Sequence, residues 1–294
     1  MRILVTGITG QLGYDVMREI KKRNAESTSE NIEAIGATRA EMPLDKPEKL
    51  RGFIKTVRPD VIIHCAAYTA VDRAEDEPEL CETINARATG EIAKAAHEIG
   101  AKLVYISTDY VFPGDGERFY EVDDVTSPKN VYGKSKLYGE RAVREALSKH
   151  FIVRISWVFG VNGKNFILTM MNLSKTHESL TVVDNQIGSP TYTRDLAPLL
   201  LDMAETEKYG TYHATNEGVC SWYELAKEVF RVSGANVAVT PVPSTEYKTR
   251  AVRPHNSRLS KRSLDDAGFR RLPDWHDAVR RYLDELSACG EIQR

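Results

Sequence analysis

Residues 2–13 constrain the fold more than any other stretch of the chain. RILVTG (2–7) is an apolar strand-like run, QLGYDVMREIKKR (11–23) has a helical pattern, and TGITGQLG (6–13) joins them with glycines at 7, 10 and 13. In a strand-to-helix turn, Gly7 permits the tight bend, Gly10 lets backbone approach a pyrophosphate, and Gly13 lets the helix pack closely on the strand. The unpaired N–H groups of the helix N-terminus then face the anion. The spacing is G-x-x-G-x-x-G, and no Gly-Lys-Ser/Thr follows, so this is not the phosphate loop of an NTPase. A dinucleotide is therefore expected on Gly7, Gly10, Gln11, Leu12 and Gly13.

Strand-like runs then alternate with helical ones: strand 33–39, helix 47–58, strand 60–67, helix 79–100 closed by Gly100, strand 102–112, helix 131–150 and strand 151–160. Uninterrupted apolar strands separated by helices imply a parallel sheet covered on both faces, a doubly wound α/β (Rossmann) fold. The alternation fails after residue 160. Residues 180–192 and 210–216 read as strands near the main sheet, 221–234 and 272–286 as helices of a smaller lobe, and 241–256 as loop or edge strand. The expected division is a dinucleotide-binding domain over 1–162, completed by 181–215. A smaller interleaved α/β substrate lobe takes 216–294 with 163–180. The polar stretch 21–33 reads as a helix end and surface loop.

Composition excludes several classes of partner. Forty basic residues face 42 acidic ones, a net charge of −2, so no basic field is available for nucleic acid or an anionic membrane. No apolar run reaches the ~18–20 residues that span a bilayer. The first strand begins at Arg2, leaving no room for a secretory leader. Cys65, Cys81, Cys220 and Cys289 form no C-x-x-C pair, which fits a reducing cytoplasm better than a disulfide framework.

The end of the second strand selects the dinucleotide. A classical NAD site has an acid there; this chain has Thr38 and Arg39, and Arg39 can pair with a 2′-phosphate. NADPH is expected, with NADH also usable, and Asp45 is a candidate for the adenine edge. YISTDYVF (105–112) brings Thr108 and Asp109 to the C-terminal end of a strand, where open α/β sheets bind ligands. VYGKSK (131–136) sets Tyr132 and Lys136 one helical turn apart on one face. A lysine cation beside the phenol favours phenolate and lowers the tyrosine pKa. With Thr108, the pair can hydrogen-bond a ketone and deliver a proton as hydride arrives.

The runs TGITGQLG, CAAYTAVDRAEDEP, STDYVF, YGKSK, DNQIGSPTY and RPHNSRLS, spread over residues 3–260, resemble the extended short-chain dehydrogenase/reductases. Within these, the dTDP-4-dehydrorhamnose reductase family is the closest match. The resemblance implies reduction of a sugar-nucleotide 4-ketone, with Tyr132 as proton donor, Lys136 on the nicotinamide ribose and Thr108 on the keto oxygen. It implies that Cys65, Ala66, Ala67 and Tyr68 pass beside the cofactor ribose. Asn85 is either the support of a proton-relay water or an ordinary helix residue. Trp157 either stacks on the sugar or belongs to the core. Asn165 and Gln186 would line the nucleotide. Arg253 either binds the diphosphate or forms a surface salt bridge. Some family members use magnesium; Asp15 could serve, or could balance the helix dipole. A homodimer is compatible with the resemblance. Two rivals share the cofactor fold. The 4,6-dehydratases need a second acid where Tyr110 stands, and the epimerase-reductases need a Cys and a His near the substrate. A third reading is a non-catalytic regulator that binds NADP.

Overall fold

The computed structural model describes residues 1–27 and 31–292. Its first half is a run of strand–helix units: β1 (Arg2–Thr6), α1 (Gln11–Glu26), β2 (Glu33–Ala37), α2 (Leu50–Val57), β3 (Val61–His64), α3 (Val71–Ala74), α4 (Pro78–Glu82), α5 (Ala88–Ile99), β4 (Lys102–Thr108), α6 (Val131–Ala146) and β5 (His150–Ile155). The helix end expected within 21–33 is found at Glu26; residues 28–30 of that loop lie outside the described residues.

The second half holds β6 (Val158–Phe159), α7 (Phe166–Leu173), β7 (Ser179–Val183), β8 (Ile187–Gly188), β9 (Thr191–Tyr192), α8 (Thr193–Ala204), β10 (Gly210–His213), β11 (Cys220–Ser221), α9 (Trp222–Ser233), β12 (Ala238–Val242), β13 (Asn256–Ser257), α10 (Arg262–Asp266) and α11 (Trp275–Ala288).

The main sheet has the order β10-β5-β4-β3-β1-β2, and every pairing in it is parallel. The chain leaves β1 toward β2 on one side and returns to β3 on the other. The C-terminal ends of β1 and β3, Thr6 and His64, therefore lie side by side. That reversal opens the crevice in which doubly wound sheets bind ligands. Ile3, Val5, Ile63, Val104 and Val153 pack under α1 and α8 on one face. Leu4, Ile62, Leu103 and Ile152 pack under α2, α5 and α6 on the other. Near-complete burial of both faces explains the unbroken apolar strands. The doubly wound α/β reading is correct.

Three local readings need correction. Residues 180–192 do not join the main sheet: β7 pairs with β12, β8 with β11 and β13, and β9 with β6. These strands are short, and β7 exposes alternate residues, so they pair within the smaller lobe. Helix α8, with Pro198 inside it, lies in a stretch to which the sequence reading assigned no element. Its buried face packs on α1, and Arg23 Nη2 donates to the Pro198 carbonyl at 3.0 Å. Finally, the helix expected over 79–100 contains a π-turn at Thr83–Arg87, although Gly100 caps its end at φ +76° as expected. The π-turn carries Asn85, and such bulges recur at functional sites.

Candidate active site

The glycine loop matches its sequence reading. Gly7 has φ +70°, and a Cβ there would lie 2.9 Å from the Ala66 backbone. A Cβ on Gly13 would lie 2.7 Å from the Gly7 carbonyl carbon, so helix and strand touch backbone to backbone. Gly10 differs: its Cβ would meet only the Gly7 oxygen, at 3.4 Å. It is the N-cap of α1, and no side chain caps that end. A cradle open at Gly10, floored at Gly7 and Gly13 and facing free helix N–H groups fits a pyrophosphate. The Gln11 side chain turns away to accept from Asn165 Nδ2 at 2.9 Å, leaving the backbone of Gln11 and Leu12 at the helix start.

The β2 exit holds Thr38 and Arg39. Arg39 is largely exposed and pairs with Asp45 at 2.7 Å, so Asp45 steers the guanidinium. Sequence reasoning missed Glu41, which accepts the Thr38 N–H at 2.8 Å and also its hydroxyl. An acid does stand at this strand end, but three residues late and tied to Thr38.

After β3, the loop Cys65–Tyr68 runs beside Gly7. Thr6 Oγ1 accepts the Ala66 N–H at 3.2 Å and bonds His64 Nδ1 at 2.8 Å. Burial pushes the Cys65 thiol up to about 12 and His64 down to about 3, so neither is charged at neutral pH. The buried Asn85 amide accepts the Tyr68 N–H at 2.8 Å and donates to the Tyr68 carbonyl and to Ser135 Oγ, each at 3.0 Å. It thus ties the cofactor-side loop to α6.

Asn130 caps α6 by accepting the Gly133 N–H at 2.7 Å. Gly133 lacks a Cβ because the Tyr110 carbonyl packs against that point, so its smallness lets α6 approach the 108–110 turn. That contact brings the Tyr132 phenol close enough to the Thr108 hydroxyl for Thr108 to favour its ionised form. Tyr110 lies edge-on to the Tyr132 ring at 5.5 Å. Burial pushes the Tyr132 phenol well above its ordinary value, Thr108 pulls it back, and the Asp109 charge adds to the rise.

Lys136 is not among the largest influences on the phenol, which burial dominates. Lys136 is itself buried, its Nζ sits 4.1 Å from the centroid of the Tyr105 ring, and burial pulls it down to about 7. Among the described residues its ammonium has no hydrogen-bond or carboxylate partner. A buried cation held only by a ring face is free to bind hydroxyls of a ligand. Asp109 is buried and, among the described residues, has no cationic partner; Oδ1 accepts from Thr108 at 2.9 Å and Oδ2 from Ser257 at 2.5 Å. Burial raises it to about 6. Its oxygens are thus engaged by protein hydroxyls.

The lobe side divides the remaining candidates. Gln186 and Arg253 line one cavity of about 580 Å³ with Phe166, Met170, Trp222 and Tyr247. Arg253 is also paired with Asp72 at 2.6 Å and reaches the Tyr110 hydroxyl at 3.4 Å. Trp157 has φ +48°, a strained conformation for a bulky residue, and stacks on Trp222 at 3.7 Å. One indole face is therefore covered, and Gly188 packs against its six-membered ring.

Asn165 does not offer its amide to a ligand. Its Oδ1 caps α7 through the Leu168 N–H at 2.9 Å, and its Nδ2 reaches Gln11, Gly160 and Tyr282 at 2.8–3.1 Å. An N-cap preference explains the residue without a substrate. Trp222, Tyr247, Ser257 and Asp72 went unread because nothing local in the sequence marks them as neighbours of the cleft.

Asp15 is engaged by protein groups. Its buried carboxylate accepts from Thr193 Oγ1 at 2.5 Å and faces Arg18 at 3.1 Å. It lies beyond the first turn of α1, so it does not balance the helix end either. Among the described residues no group of three His, Cys, Asp or Glu side chains could hold a metal ion.

The family model described as RmlD substrate binding domain matches residues 1–288. The chain belongs to the RmlD family. It is 40% identical over 305 residues to the dTDP-4-dehydrorhamnose reductase of Escherichia coli strain K12, covering 99% of this chain and 100% of that one. It is 39% identical to the spore coat polysaccharide biosynthesis protein SpsK of Bacillus subtilis, covering 98% and 99%. Among solved structures, the Bacillus anthracis dTDP-4-dehydrorhamnose reductase in complex with NADP superposes with TM-score 0.92 at 40% identity, over 97% of this chain and 99% of that one. The RmlD relationship thus spans the sheet, the cleft and the lobe together.

Proposed function

We propose that this protein reduces the 4-keto group of dTDP-4-dehydro-L-rhamnose to give dTDP-L-rhamnose, the last step of dTDP-rhamnose biosynthesis. The carrying observation is the meeting of Thr108, at the C-terminal end of β4, with Tyr132 on α6, one helical turn before the buried Lys136 ammonium, at the same sheet edge as the glycine cradle. The full-length reductase relatives and the NADP-bound neighbour support it.

Bound NADPH supplies hydride to C4 of the sugar. Residues Gly7–Gly13 hold the pyrophosphate, Thr38 and Arg39 face the adenosine ribose, and Lys136 holds the nicotinamide ribose. Thr108 and Tyr132 bind the keto oxygen, and the Tyr132 phenol gives it a proton. A phenol raised by burial is fully protonated at neutral pH, which suits a donor. Dehydration needs a carboxylate base where Tyr110 stands; that phenol is pushed up to about 12 by burial and the Asp109 charge, and abstracts no proton.

The sugar nucleotide lies between this edge and the lobe drawn from 163–180 and 216–294, to which β7 belongs by pairing with β12. Gln186 and Arg253 face its nucleotide part. The cysteines are unpaired, which supports a cytoplasmic setting. No described helix is long and apolar enough to cross a membrane. A homodimer belongs to the same proposal, and light scattering of the purified chain reads it. The reaction is tested by following NADPH absorbance with the 4-keto sugar nucleotide. Turnover that exceeds a Tyr132→Phe control is expected; equal rates would refute the reading.

A further inference from the structure

Directly behind the site lies an ion cluster that the reaction does not use. Glu140 is completely buried, and so, to within 2%, is Arg154. The two carboxylate oxygens accept Arg154 Nε and Nη2, both at 2.8 Å, Ser107 Oγ at 2.6 Å and Arg144 Nη2 at 3.0 Å. The rest of the guanidinium donates to the Val122 carbonyl at 2.9 Å, approaches His213 Nε2 at 3.5 Å and lies 4.9 Å from the Phe112 ring centroid. Buried ion pairs add little stability over a well-packed apolar replacement, because desolvation cancels most of the attraction. The location points to another use.

Glu140 touches both halves of the site. On α6 it stands one turn beyond Lys136 and two beyond Tyr132, on the same helix face. Across to β4 it holds Ser107, the residue before Thr108. We infer that Glu140, clamped by Arg154, is a positioning residue: it fixes the Ser107–Thr108 strand end against Tyr132 and provides the buried negative charge that keeps Lys136 an ammonium. This rests on the reductase reading for its effect on turnover, but its effect on cofactor binding stands apart from the substrate.

The charges around Lys136 are few. His64 and Cys65 at the β3 end and Cys81 on α4 are held neutral by burial, and Tyr105 on β4 is pushed far up, also by burial. Glu140 is the ionised group that favours the ammonium. Around Glu140 the charged neighbours are Arg154 on β5 and Arg144 on α6, with His213 on β10 neutral through burial. Burial pushes the Glu140 carboxyl up, but Arg154, Ser107 and Arg144 more than offset this and hold it below its ordinary value.

The test is NADPH affinity against pH, by fluorescence, for the full chain and Glu140→Gln. With Glu140 present, affinity should fall as pH rises above about 7, where Lys136 deprotonates. In Glu140→Gln the ammonium loses its counter-charge, so the fall should begin about one pH unit lower. The variant should then bind within about twofold of wild type at pH 5.5 and about tenfold more weakly at pH 8. Titration of the 2′-phosphate is common to both proteins and drops out of the comparison. In a Lys136→Met background the Glu140→Gln difference should vanish. A parallel pH profile, shifted equally everywhere or not at all, overturns the charge role. Ser107→Ala tests the strand-end role while leaving the buried Glu140–Arg154 pair intact, and is decisive if Glu140→Gln does not fold. Its kcat should drop about tenfold with little change in KM; an unchanged kcat overturns positioning. Absence of turnover in the wild type would sink the reductase reading and leave the NADPH profiles readable.

Discussion

Replacing Gly10 and Gly13 separately by alanine should split binding from folding, because the two glycines do different physical work. At Gly13 the added Cβ would lie 2.7 Å from the Gly7 carbonyl carbon and 3.0 Å from Ile8 Cα. Both are backbone atoms, so α1 must retreat from β1 by roughly half an ångström or more. Overpacking of this kind costs about 1–3 kcal/mol. For a domain of this size that lowers Tm by about 2–10 °C. At Gly10 the backbone sits at φ −96°, ψ 173°, open to alanine, and the Cβ meets one atom at 3.4 Å. Alanine is a poorer N-cap than glycine, but it also restricts the unfolded chain, so the net change is within about 1 kcal/mol. Its methyl group instead points where the pyrophosphate approaches the helix N-terminus. A loss of about 100-fold in NADPH affinity is expected, or about 2.7 kcal/mol. Thermal melts with and without NADPH read both effects. At a concentration near 100 Kd the cofactor stabilises wild type by about 2.7 kcal/mol, and Gly10→Ala should retain only about 0.4. Normal NADPH stabilisation of Gly10→Ala, or a Gly13→Ala melt within 1 °C of wild type, would refute the reasoning.

Tyr132→Phe removes one oxygen and leaves the Lys136–Tyr105 contact in place. Turnover should fall by about 10²–10⁴ while NADPH affinity, read by fluorescence titration, stays within about twofold. Asp109→Asn removes a carboxylate that burial raises from 3.8 to about 6. The folded state holds that proton more tightly than the unfolded chain, so the wild type loses stability as pH rises through about 4–6. The Asn variant should therefore gain on wild type over that window, by on the order of 1–3 kcal/mol in denaturant melts, and a pH-independent gap would count against the shift. Asn165→Ala should lower stability by about 1–2 kcal/mol through the lost cap and leave KM for the sugar nucleotide within about threefold. A selective rise in KM would return the residue to the substrate.

The parts legible in the sequence are those governed by local chemistry. The glycine loop, the apolar strands and the Tyr132/Lys136 spacing are each fixed within one strand–helix unit, and the sheet places them without further help. What escaped is long-range. Helix α8 went unread; the cost of Pro198 within it is offset by its packing on α1. The pairing of β7 with β12, residues nearly sixty apart, leaves no mark on either segment. Ser257 could be matched to Asp109, 148 positions earlier, only by the folded chain.

The pKa of Tyr132 shows where spacing arguments stop. A lysine at i+4 is a neighbour on a helix, and in water its charge would favour phenolate. Here Lys136 is buried and Tyr132 half-buried, and burial acts on each in the direction that discharges it: the phenol rises and the ammonium falls. A weakened cation that faces an aromatic ring is a poor acidifier of a tyrosine. It is a good donor to ribose hydroxyls, provided something keeps it protonated. Glu140 stands on the next turn with its own charge fixed by Arg154. The helix therefore carries a sequence of three groups at four-residue intervals: a protonated phenol, a conditional cation, and the permanent anion that sustains it. Residue spacing made the first two visible, and only the burial of the third explains how the second works.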